Sequence, residues 1–369
     1  MYYRIKLYLK NFDWIIFSAV ILLAAFGLME VYSVALGLGS HDLINFYKQL
    51  LFVGLGVLLM FIFTFIDYRF IKSLSTYLYW FGALLLIVVL LFGQTVNGTK
   101  GWFNIAGFGI QPVEFIKIIL IIFLASYFSN LATKVKTLRH FIISASGTFA
   151  LAALIILQPD FGSSLVILAI WLIMVIMAGF DKKYFIVIGL LGILLSGVAW
   201  FSFKDYQKQR ITTFLNPGQE TCARDECYNS FQAIIAVGSG GLTGKGVGFG
   251  SQSQLKFLPE AQTDFIFSVI AEEMGFFGII LVLCFFAVLF FRALSLLKKI
   301  NNDFGIYYIL GLLGLIFTHM FVNIGMNMGL LPIVGLPLPF ISYGGSSALS
   351  LFVAIGIMQN IIIKSKINY

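Results

Sequence analysis

The stretch FIFSVIAEEMGFFGIILVLCFFAVLFF, residues 265–291, is almost entirely apolar but contains two adjacent carboxylates, Glu272 and Glu273. A helix needs about 20 mostly apolar residues to cross the hydrocarbon core of a bilayer, and this stretch exceeds that length. Asp264 immediately precedes it, where the polar segment PEAQTD ends. The stretch therefore predicts a membrane helix with a carboxylate at its entrance.

The same apolar character extends along the whole chain. Of 369 residues, 60% are hydrophobic and 11% are charged, and a soluble domain of this size has no interior large enough to bury so many apolar side chains. We predict an all-α polytopic membrane protein, a single domain over 1–369, with about ten transmembrane helices. The predicted spans are 14–36, 48–66, 77–94, 112–130, 141–157, 163–180, 184–202, 265–291, 306–329 and 344–363.

The basic residues predict how these helices are oriented. Most Lys and Arg lie in segments that are cytoplasmic if the N-terminus is inside, as the positive-inside rule requires. Both termini are then cytoplasmic, and one large extracytoplasmic loop, 203–264, lies between helices 7 and 8. The net charge of +8 comes mostly from the Lys and Arg of the predicted cytoplasmic segments, so we expect no nucleic-acid partner. The first apolar stretch is too long for a signal-peptide core, and we expect it to remain as the first span.

Three predicted outer segments are rich in glycine: 93–112, 236–254 and 330–347. Irregular backbone near a membrane is tolerated where it lines a wet cavity or packs on protein, so these segments favour a site on the outer face. The glycines around Lys245 do not form a nucleotide-binding loop. Ser239 and Gly246 occupy positions that a Walker A motif reserves for Gly and for Ser or Thr.

The histidines and cysteines indicate no metal site. The three histidines are far apart in sequence and lack metal-ligand spacing. Cys284 lies inside a predicted span, where we expect it to be buried. Cys222 and Cys227 are close together in the long outer loop, which leaves both a local disulfide and two free thiols open.

Ionisable residues within or beside the spans are functional candidates, because a charge in hydrocarbon costs a few kcal/mol or more. Glu114 and Lys117 are three residues apart and share a helix face, which fits either a site in a cavity or an ion pair that holds helices together. Asp160 lies at the mouth of the sixth span. Glu272 and Glu273 can equally serve a site or satisfy neighbouring backbone groups.

Three other ionisable positions have alternative interpretations. Asp264 is either a helix N-cap, since Asp is favoured there, or a general base at the membrane surface. Arg210, in the long outer loop, is either a solvated charge or a ligand for a lipid diphosphate. Glu30, near the outer end of the first span, is expected to snorkel or to join a polar network.

Five motifs together resemble the SEDS family, which is named for shape, elongation, division and sporulation. In chain order they are QPVEFIK (111–117), LQPDFGSS (157–164), QRITTFLNP (209–217), AVGSGGLTGKGVGFGSQSQLKFLPEAQTDFIFSVIAEEMGF (236–276) and LLPIVGLPLPFISYGGSS (330–347). The resemblance covers nearly the whole chain, with each motif in order and on the expected side of the membrane. GLPLPFISYGGSS and FIDYRFIKSL favour the branch of the family that elongates the cell wall over the branch that serves division.

The resemblance implies a peptidoglycan glycosyltransferase that polymerises lipid II at the outer face of the bacterial cytoplasmic membrane. It also implies that a class B penicillin-binding protein is the transpeptidase partner, and that other membrane proteins of the elongation machinery take part. A lipid II flippase is one rival interpretation, but it is expected to need polar groups along the full membrane depth. A non-catalytic scaffold is the other, and it would need none of the carboxylates.

The family's functional residues match individual positions of this chain. Its essential aspartate matches Asp264, the expected general base. Its Glu and Lys of the fourth span match Glu114 and Lys117, its loop arginine matches Arg210, and its fifth-span aspartate matches Asp160. Inversion at the sugar carbon needs a base for the attacking hydroxyl and positive charge for the departing diphosphate. The resemblance offers Arg210, Lys117, Lys100 and a divalent cation such as Mg²⁺ for that charge.

The outer loops complete the expected substrate site. Segments 238–256 and 332–347 are expected to shape a sugar cleft and a lipid groove. The expected substrate-binding residues from the loops are Lys100, Trp102, Ser342, Tyr343 and Ser346. Two positions depart from the family pattern: Gly101 stands where paired arginines are frequent, and Gln262 replaces a common histidine. We therefore expect neither of those lost side chains to be chemically required.

Overall fold

The computed structural model describes residues 2–37, 43–96, 98–105, 107–131, 137–186, 189, 226–255 and 257–367. In chain order its helices are α1 Tyr2–Asn11, α2 Trp14–Gly37, α3 Ile44–Phe65, α4 Tyr68–Ser73, α5 Ser75–Phe92, α6 Pro112–Ser129, α7 Leu138–Ile156, α8 Phe161–Ala178, α9 Glu226–Ser239, α10 Ser251–Gln254, α11 Ile266–Leu297, α12 Asp303–Asn327 and α13 Gly345–Ile367. Three strands, β1 Gln94–Val96, β2 Thr99–Ile105 and β3 Phe108–Ile110, lie between α5 and α6.

Nine helices in the described ranges are long and apolar enough to cross a membrane: α2, α3, α5, α6, α7, α8, α11, α12 and α13. They coincide with nine of the ten predicted spans, so the helical membrane fold is confirmed. The remaining predicted span, 184–202, lies almost wholly outside the described residues. Cys284 was predicted to be buried, and that was wrong: its side chain is exposed on α11, on a side that faces away from the bundle.

The centre of the bundle is formed by α6, α12 and α13, which are the most buried spans. Helix α12 packs against both α6 and α8, and α13 packs along α3. Glycine permits the close packing of α13 on α3. Gly56 of α3 lies against the ring of Phe352, and Gly356 of α13 lies against the backbone of Met60. Small residues serve helix contacts in membranes because lipid supplies no hydrophobic force between helices.

A small antiparallel sheet follows α5, in the order β1-β2-β3. Thr95 pairs with Lys100, and Phe103 pairs with Ile110. The sequence did not predict these strands. The glycines of this segment supply its two turns, at positions where the chain has positive φ: +80° at Gly98 and +83° at Gly107. Glycine adopts such angles without steric cost. The sheet covers the ends of the helices on the side predicted to be extracytoplasmic.

At the opposite end of the bundle, Asp13 ties the start of α2 to α11. Its carboxylate is 1% exposed and accepts hydrogen bonds from Arg292 Nε at 3.1 Å and Nη2 at 2.8 Å. Burial alone would raise the pKa of Asp13, but the hydrogen bond and charge of Arg292 outweigh burial and hold the pKa below its ordinary value. This ion pair therefore contributes stability only while Asp13 is ionised.

Candidate functional site

Asp264 lies one residue before the N-cap position of α11. The helix begins at Ile266, and Phe265 occupies the N-cap position without a side-chain cap hydrogen bond. The Asp264 side chain is partly exposed, and its Oδ2 lies 3.5 Å from the position that a Cβ would take on Gly335. The geometry thus gives the cap position to another residue and leaves the Asp264 carboxylate at the surface of the segment 332–347.

Two buried asparagines of α12 hold the backbone at Asp264. The side-chain nitrogens of Asn323 and Asn327 both donate to the Asp264 carbonyl oxygen at 2.9 Å. Asn327 also accepts the Ser268 hydroxyl at 2.6 Å, which secures the first turn of α11. Because both asparagines are 0% exposed, these bonds form where water does not compete. The carboxylate therefore projects from an immobilised backbone.

The segment 332–347 clamps the same loop from its other side. The Ser342 hydroxyl donates to the Thr263 carbonyl at 2.6 Å and accepts the Leu338 N–H at 2.8 Å. The Tyr343 N–H donates to the carbonyl of Gln262 at 2.8 Å. Ser342 is 6% exposed, so its hydroxyl is occupied in positioning the Asp264 loop. Its predicted contact with substrate stays a prediction.

Glu114 and Lys117 form a buried ion pair within α6. Lys117 Nζ lies 2.7 Å from Glu114 Oε1, and the two side chains are 1% and 7% exposed. The same ammonium lies 3.2 Å from Nε2 of His319, whose Nδ1 lies 3.1 Å from the Pro337 carbonyl oxygen. A carbonyl only accepts, so Nδ1 carries the proton and Nε2 accepts from Lys117. His319 is thus a neutral Nδ1–H tautomer in this arrangement.

Asp160 is joined through Gln111 to the backbone of this pair, because the Gln111 carbonyl accepts the Glu114 N–H at 3.3 Å. Its Oδ1 accepts the Ser163 N–H at 2.9 Å and so caps α8, while its Oδ2 accepts from Gln111 Nε2 at 3.2 Å. The Gln111 N–H in turn donates to the Ser346 hydroxyl oxygen at 2.9 Å. Burial raises the pKa of Asp160, although the hydrogen bond from Ser163 and the charge of Lys117 oppose the shift. Asp160 and Ser346 are therefore part of one polar layer between α6, α8 and α13.

Lys100 and Trp102, which were predicted to bind substrate, lie on the small sheet and are separate from the Glu114–Lys117 pair. The ammonium of Lys100 lies 3.3 Å from the Leu91 carbonyl at the end of α5, and its backbone N–H donates to the carbonyl of Gln158. The Trp102 ring lies against Gly109 on the neighbouring strand. Neither side chain contacts Glu114 or Lys117 in the hydrogen bonds and ring contacts of the described residues. Arg210 lies outside the described residues.

Glu272 and Glu273 hold the glycine-rich segment against α11. Glu272 accepts Lys245 Nζ at 2.8 Å and the Gln252 N–H at 3.0 Å. Glu273 accepts the Gly248 N–H at 3.0 Å and the Ser33 hydroxyl at 2.5 Å. Both carboxylates therefore satisfy neighbouring backbone, which was one of the two interpretations left open by the sequence.

Glu30 behaves differently from the expectation that it snorkels or joins a network. It is 0% exposed, and neither carboxylate oxygen has a hydrogen-bond partner among the described residues. The prediction was wrong because the outer part of α2 packs against α11 and α10 rather than facing the membrane surface.

A divalent cation has no evident set of ligands in the described part of the chain. No three His, Cys, Asp or Glu side chains there converge in a way that would hold a metal ion. The residues therefore do not fit an all-protein metal site, and we assign no chemical step to a cation.

Three polar residues at the candidate site that the sequence patterns did not single out lie on one face of α12. His319, Asn323 and Asn327 are spaced at i, i+4 and i+8, and all three are buried. The signal was available, since polar side chains at helical spacing inside an apolar span are functional candidates. Metal-ligand spacing, which the three histidines lack, does not reveal a histidine whose partners are a lysine and a carbonyl.

Comparison with known proteins identifies the family of the chain. Residues 13–367 match the model of the FtsW, RodA and SpoVE family of cell cycle proteins. The chain is 35% identical to stage V sporulation protein E of Bacillus subtilis, with 95% of this chain and 96% of that protein covered. It is 31% identical to peptidoglycan glycosyltransferase RodA of Treponema pallidum, with 95% and 98% covered.

The fold is also similar to solved structures. A chain of a peptidoglycan synthase complex, described as coordinating polymerization and crosslinking, superposes with a TM-score of 0.78 at 27% identity, over 97% of this chain and 98% of that one. The rod shape determining protein RodA of Thermus thermophilus superposes with a TM-score of 0.71 at 27% identity, over 95% and 96%. With a family model that spans nearly all of its length and a fold that agrees, the chain belongs to the FtsW, RodA and SpoVE family.

Proposed function

We propose that this protein is a peptidoglycan glycosyltransferase that polymerises lipid II at the outer face of the bacterial cytoplasmic membrane. The observation that carries the proposal is the Asp264 carboxylate: it is partly exposed, while its backbone is held by Asn323, Asn327 and the segment 332–347. Relatives across the family are named peptidoglycan glycosyltransferases, which supports the same assignment.

In the proposed reaction Asp264 is the general base. It takes the proton from the sugar 4-hydroxyl of one substrate molecule as that oxygen forms a bond to the anomeric carbon of the other. The bond from that carbon to the diphosphate oxygen breaks, and undecaprenyl diphosphate leaves with the electron pair. One displacement inverts the anomeric centre and produces a β-1,4 linkage. Positioned general bases typically contribute about 10²–10⁴-fold in rate.

The buried pair Glu114–Lys117 has an indirect role in this scheme. The Lys117 side chain is only 1% exposed, and its ammonium is already held by Glu114 and His319. Its charge therefore acts across a low-dielectric layer, as part of a fixed dipole, rather than by direct contact with a phosphate oxygen. Direct contact with the leaving diphosphate falls to Arg210 in the outer loop. Asp160 and Ser346 would keep the layer around the pair in place.

The partner and the cellular role belong to the same proposal. A solved structure with this fold is part of a peptidoglycan synthase complex that couples polymerization and crosslinking, which supports a class B penicillin-binding protein as partner. Similar proteins include both the rod-shape protein RodA and FtsW, at comparable identities. We assign the elongation role on the motifs around residues 65–74 and 335–347.

The test is a glycan polymerisation assay with labelled lipid II and purified protein, with and without its transpeptidase partner. Asp264→Asn should abolish product, whereas the wild type makes long chains. Glu260→Gln is the matched control, because Glu260 is an exposed carboxylate four residues away in the same loop and the charge change is identical. We expect Glu260→Gln to retain activity. Unfolding curves and partner co-purification show that both variants are intact.

Each alternative predicts a different result in that assay. If Asp264→Asn polymerises lipid II as well as the wild type does, the carboxylate has no chemical role. That result would support the scaffold interpretation. If the wild type makes no glycan even with its partner, the enzyme proposal fails. A fluorescent lipid II translocation assay in vesicles then tests the flippase interpretation directly.

A further inference from the structure

The two proposed functional elements, Asp264 and Lys117, are both linked to the same short piece of backbone, Asp264 by proximity and Lys117 through His319. Gly335 lies beside the Asp264 carboxylate, at 3.5 Å from Oδ2 to the position of a Cβ. Two residues later, the Pro337 carbonyl accepts from His319, whose other ring nitrogen faces Lys117. Residues 335–337, here called the bridge segment, thus connect the base to the buried ion pair.

Helix α12 holds the bridge segment at two successive carbonyls. His319 Nδ1 lies 3.1 Å from the Pro337 oxygen, and Asn323 Nδ2 lies 2.8 Å from the Leu336 oxygen. The same Asn323 nitrogen donates to the carbonyl of Asp264 at 2.9 Å. One helix face therefore fixes the bridge segment and the backbone of the base together.

His319 connects the bridge segment to the ion pair, and each of its two ring nitrogens has one fixed role, as donor or as acceptor. It is 4% exposed, so solvent does not replace either of its hydrogen bonds. The carbonyl of Pro337 requires a proton on Nδ1, which leaves Nε2 as an acceptor for the Lys117 ammonium at 3.2 Å. Rotation of the ring, or the other tautomer, would break both contacts at once.

We propose that His319 is a positioning residue that sets the Lys117 ammonium and the Asp264 carboxylate at a fixed separation through the bridge segment. This inference rests on the proposed glycosyl transfer for its effect on rate, but the hydrogen-bond geometry stands independently of it. Outer partners of this kind matter because a displacement of about 1 Å in a reacting group can cost about 10²-fold in rate. His319 touches no reacting atom, and so it acts through Lys117 and Pro337.

Two conservative variants divide its two contacts. In His319→Asn the side-chain amide nitrogen comes near the position of Nδ1, so the bond to Pro337 can persist while the acceptor for Lys117 is lost. In His319→Gln the amide oxygen comes near the position of Nε2, so the reverse holds. Because positioning needs both contacts, we expect each variant to lower kcat by about 10²-fold with KM nearly unchanged. A role in packing alone predicts that both polar, similar-sized replacements keep kcat.

The matched control is His140→Asn, since His140 lies on α7 and contacts Tyr127 rather than the site. We expect that variant to keep the wild-type kcat. A rise in KM with an unchanged kcat in the His319 variants would overturn the inference, because it would indicate a role in substrate binding. Wild-type kcat in either His319 variant would overturn it as well.

A second readout does not depend on activity. The chain has three histidines, so ¹⁵N-histidine labelling gives three imidazole signal pairs, and His319→Asn assigns one of them. We expect His319 to be neutral with its proton on Nδ1 at neutral pH, and its Nε2 signal to move in Lys117→Met, which removes the donor. A proton on Nε2, or an Nε2 signal that ignores Lys117→Met, overturns the inference. If the wild type makes no glycan, the proposed function fails, while this spectrum still decides whether His319 holds Lys117.

Discussion

The buried pair Glu114–Lys117 permits a quantitative prediction. Lys117→Met would leave the Glu114 carboxylate at 7% exposure with no cation at 2.7 Å. Breaking a buried ion pair by removing one partner costs about 3–5 kcal/mol, because the remaining charge is desolvated and uncompensated. We therefore expect Lys117→Met and Glu114→Met each to lower the free energy of unfolding by that amount.

The double variant Glu114→Met/Lys117→Met tests the physical reason. With both charges removed, the buried charge penalty disappears, and what remains is mainly the unsatisfied Nε2 of His319, about 1–3 kcal/mol. The double variant should therefore be more stable than either single variant. The assay is equilibrium unfolding in mixed micelles with increasing SDS, followed by tryptophan fluorescence. Lys183→Met is the control, because its ion pair with Asp181 is exposed to solvent and should leave the curve unchanged.

A simple result would refute this reasoning. If the cost of the double variant equals the sum of the two single costs, Glu114 and Lys117 do not interact as an ion pair. The costs expected above imply instead that the double variant falls short of that sum by about 3 kcal/mol or more.

Three further predictions concern other parts of the molecule. Glu30→Met should raise the free energy of unfolding by about 1 kcal/mol or more in the same titration, because an apolar side chain replaces a buried carboxylate without a described partner; a loss of stability would show that Glu30 has a partner. Gly335→Ala should lower the free energy of unfolding by about 1–2 kcal/mol, because φ is +68° at that residue. It should also lower the rate of polymerisation, because the new methyl group meets the Asp264 carboxylate. An unchanged stability and an unchanged rate would contradict the geometry at that residue. The pKa of Asp13 is lowered, so its ion pair with Arg292 contributes stability above the ordinary pKa of 3.8 and loses it as the pH falls through the lower folded value. Stability measured from pH 6 to pH 3 should therefore fall more steeply in the wild type than in Asp13→Asn, and parallel curves would contradict this.

The membrane fold was predictable from the sequence because apolar length is a local property. Nine predicted spans coincide with helices, since a run of about 20 apolar residues has one stable solution in a bilayer. The same local signals indicated Asp264, Glu114, Lys117 and Asp160 as candidates, because ionisable groups are rare and costly in such spans. By contrast, the sheet after α5 depends on pairing between short, glycine-containing segments, and no strong periodic signal marked it.

Contacts between distant parts of the chain were not predictable in this way. Glu272 and Glu273 had two open interpretations until the glycine-rich segment was placed against them, with Gly248 and Gln252 as backbone donors. Cys284 was assigned the wrong exposure and Glu30 the wrong surroundings, because the side of a helix that faces the bundle depends on its neighbours and not on its own sequence.

The sequence by itself determined that this chain crosses a membrane many times and carries a carboxylate at the entrance of its longest span. Both conclusions follow from short stretches of sequence, because the hydropathy and charge of about 20 consecutive residues decide whether they form a membrane helix. Only the tertiary structure decided that Asp264, His319 and Lys117 belong to one hydrogen-bonded arrangement. Asp264 lies in the loop before α11, His319 on α12 and Lys117 on α6. A hydrogen bond forms only between atoms that packing brings within about 3 Å.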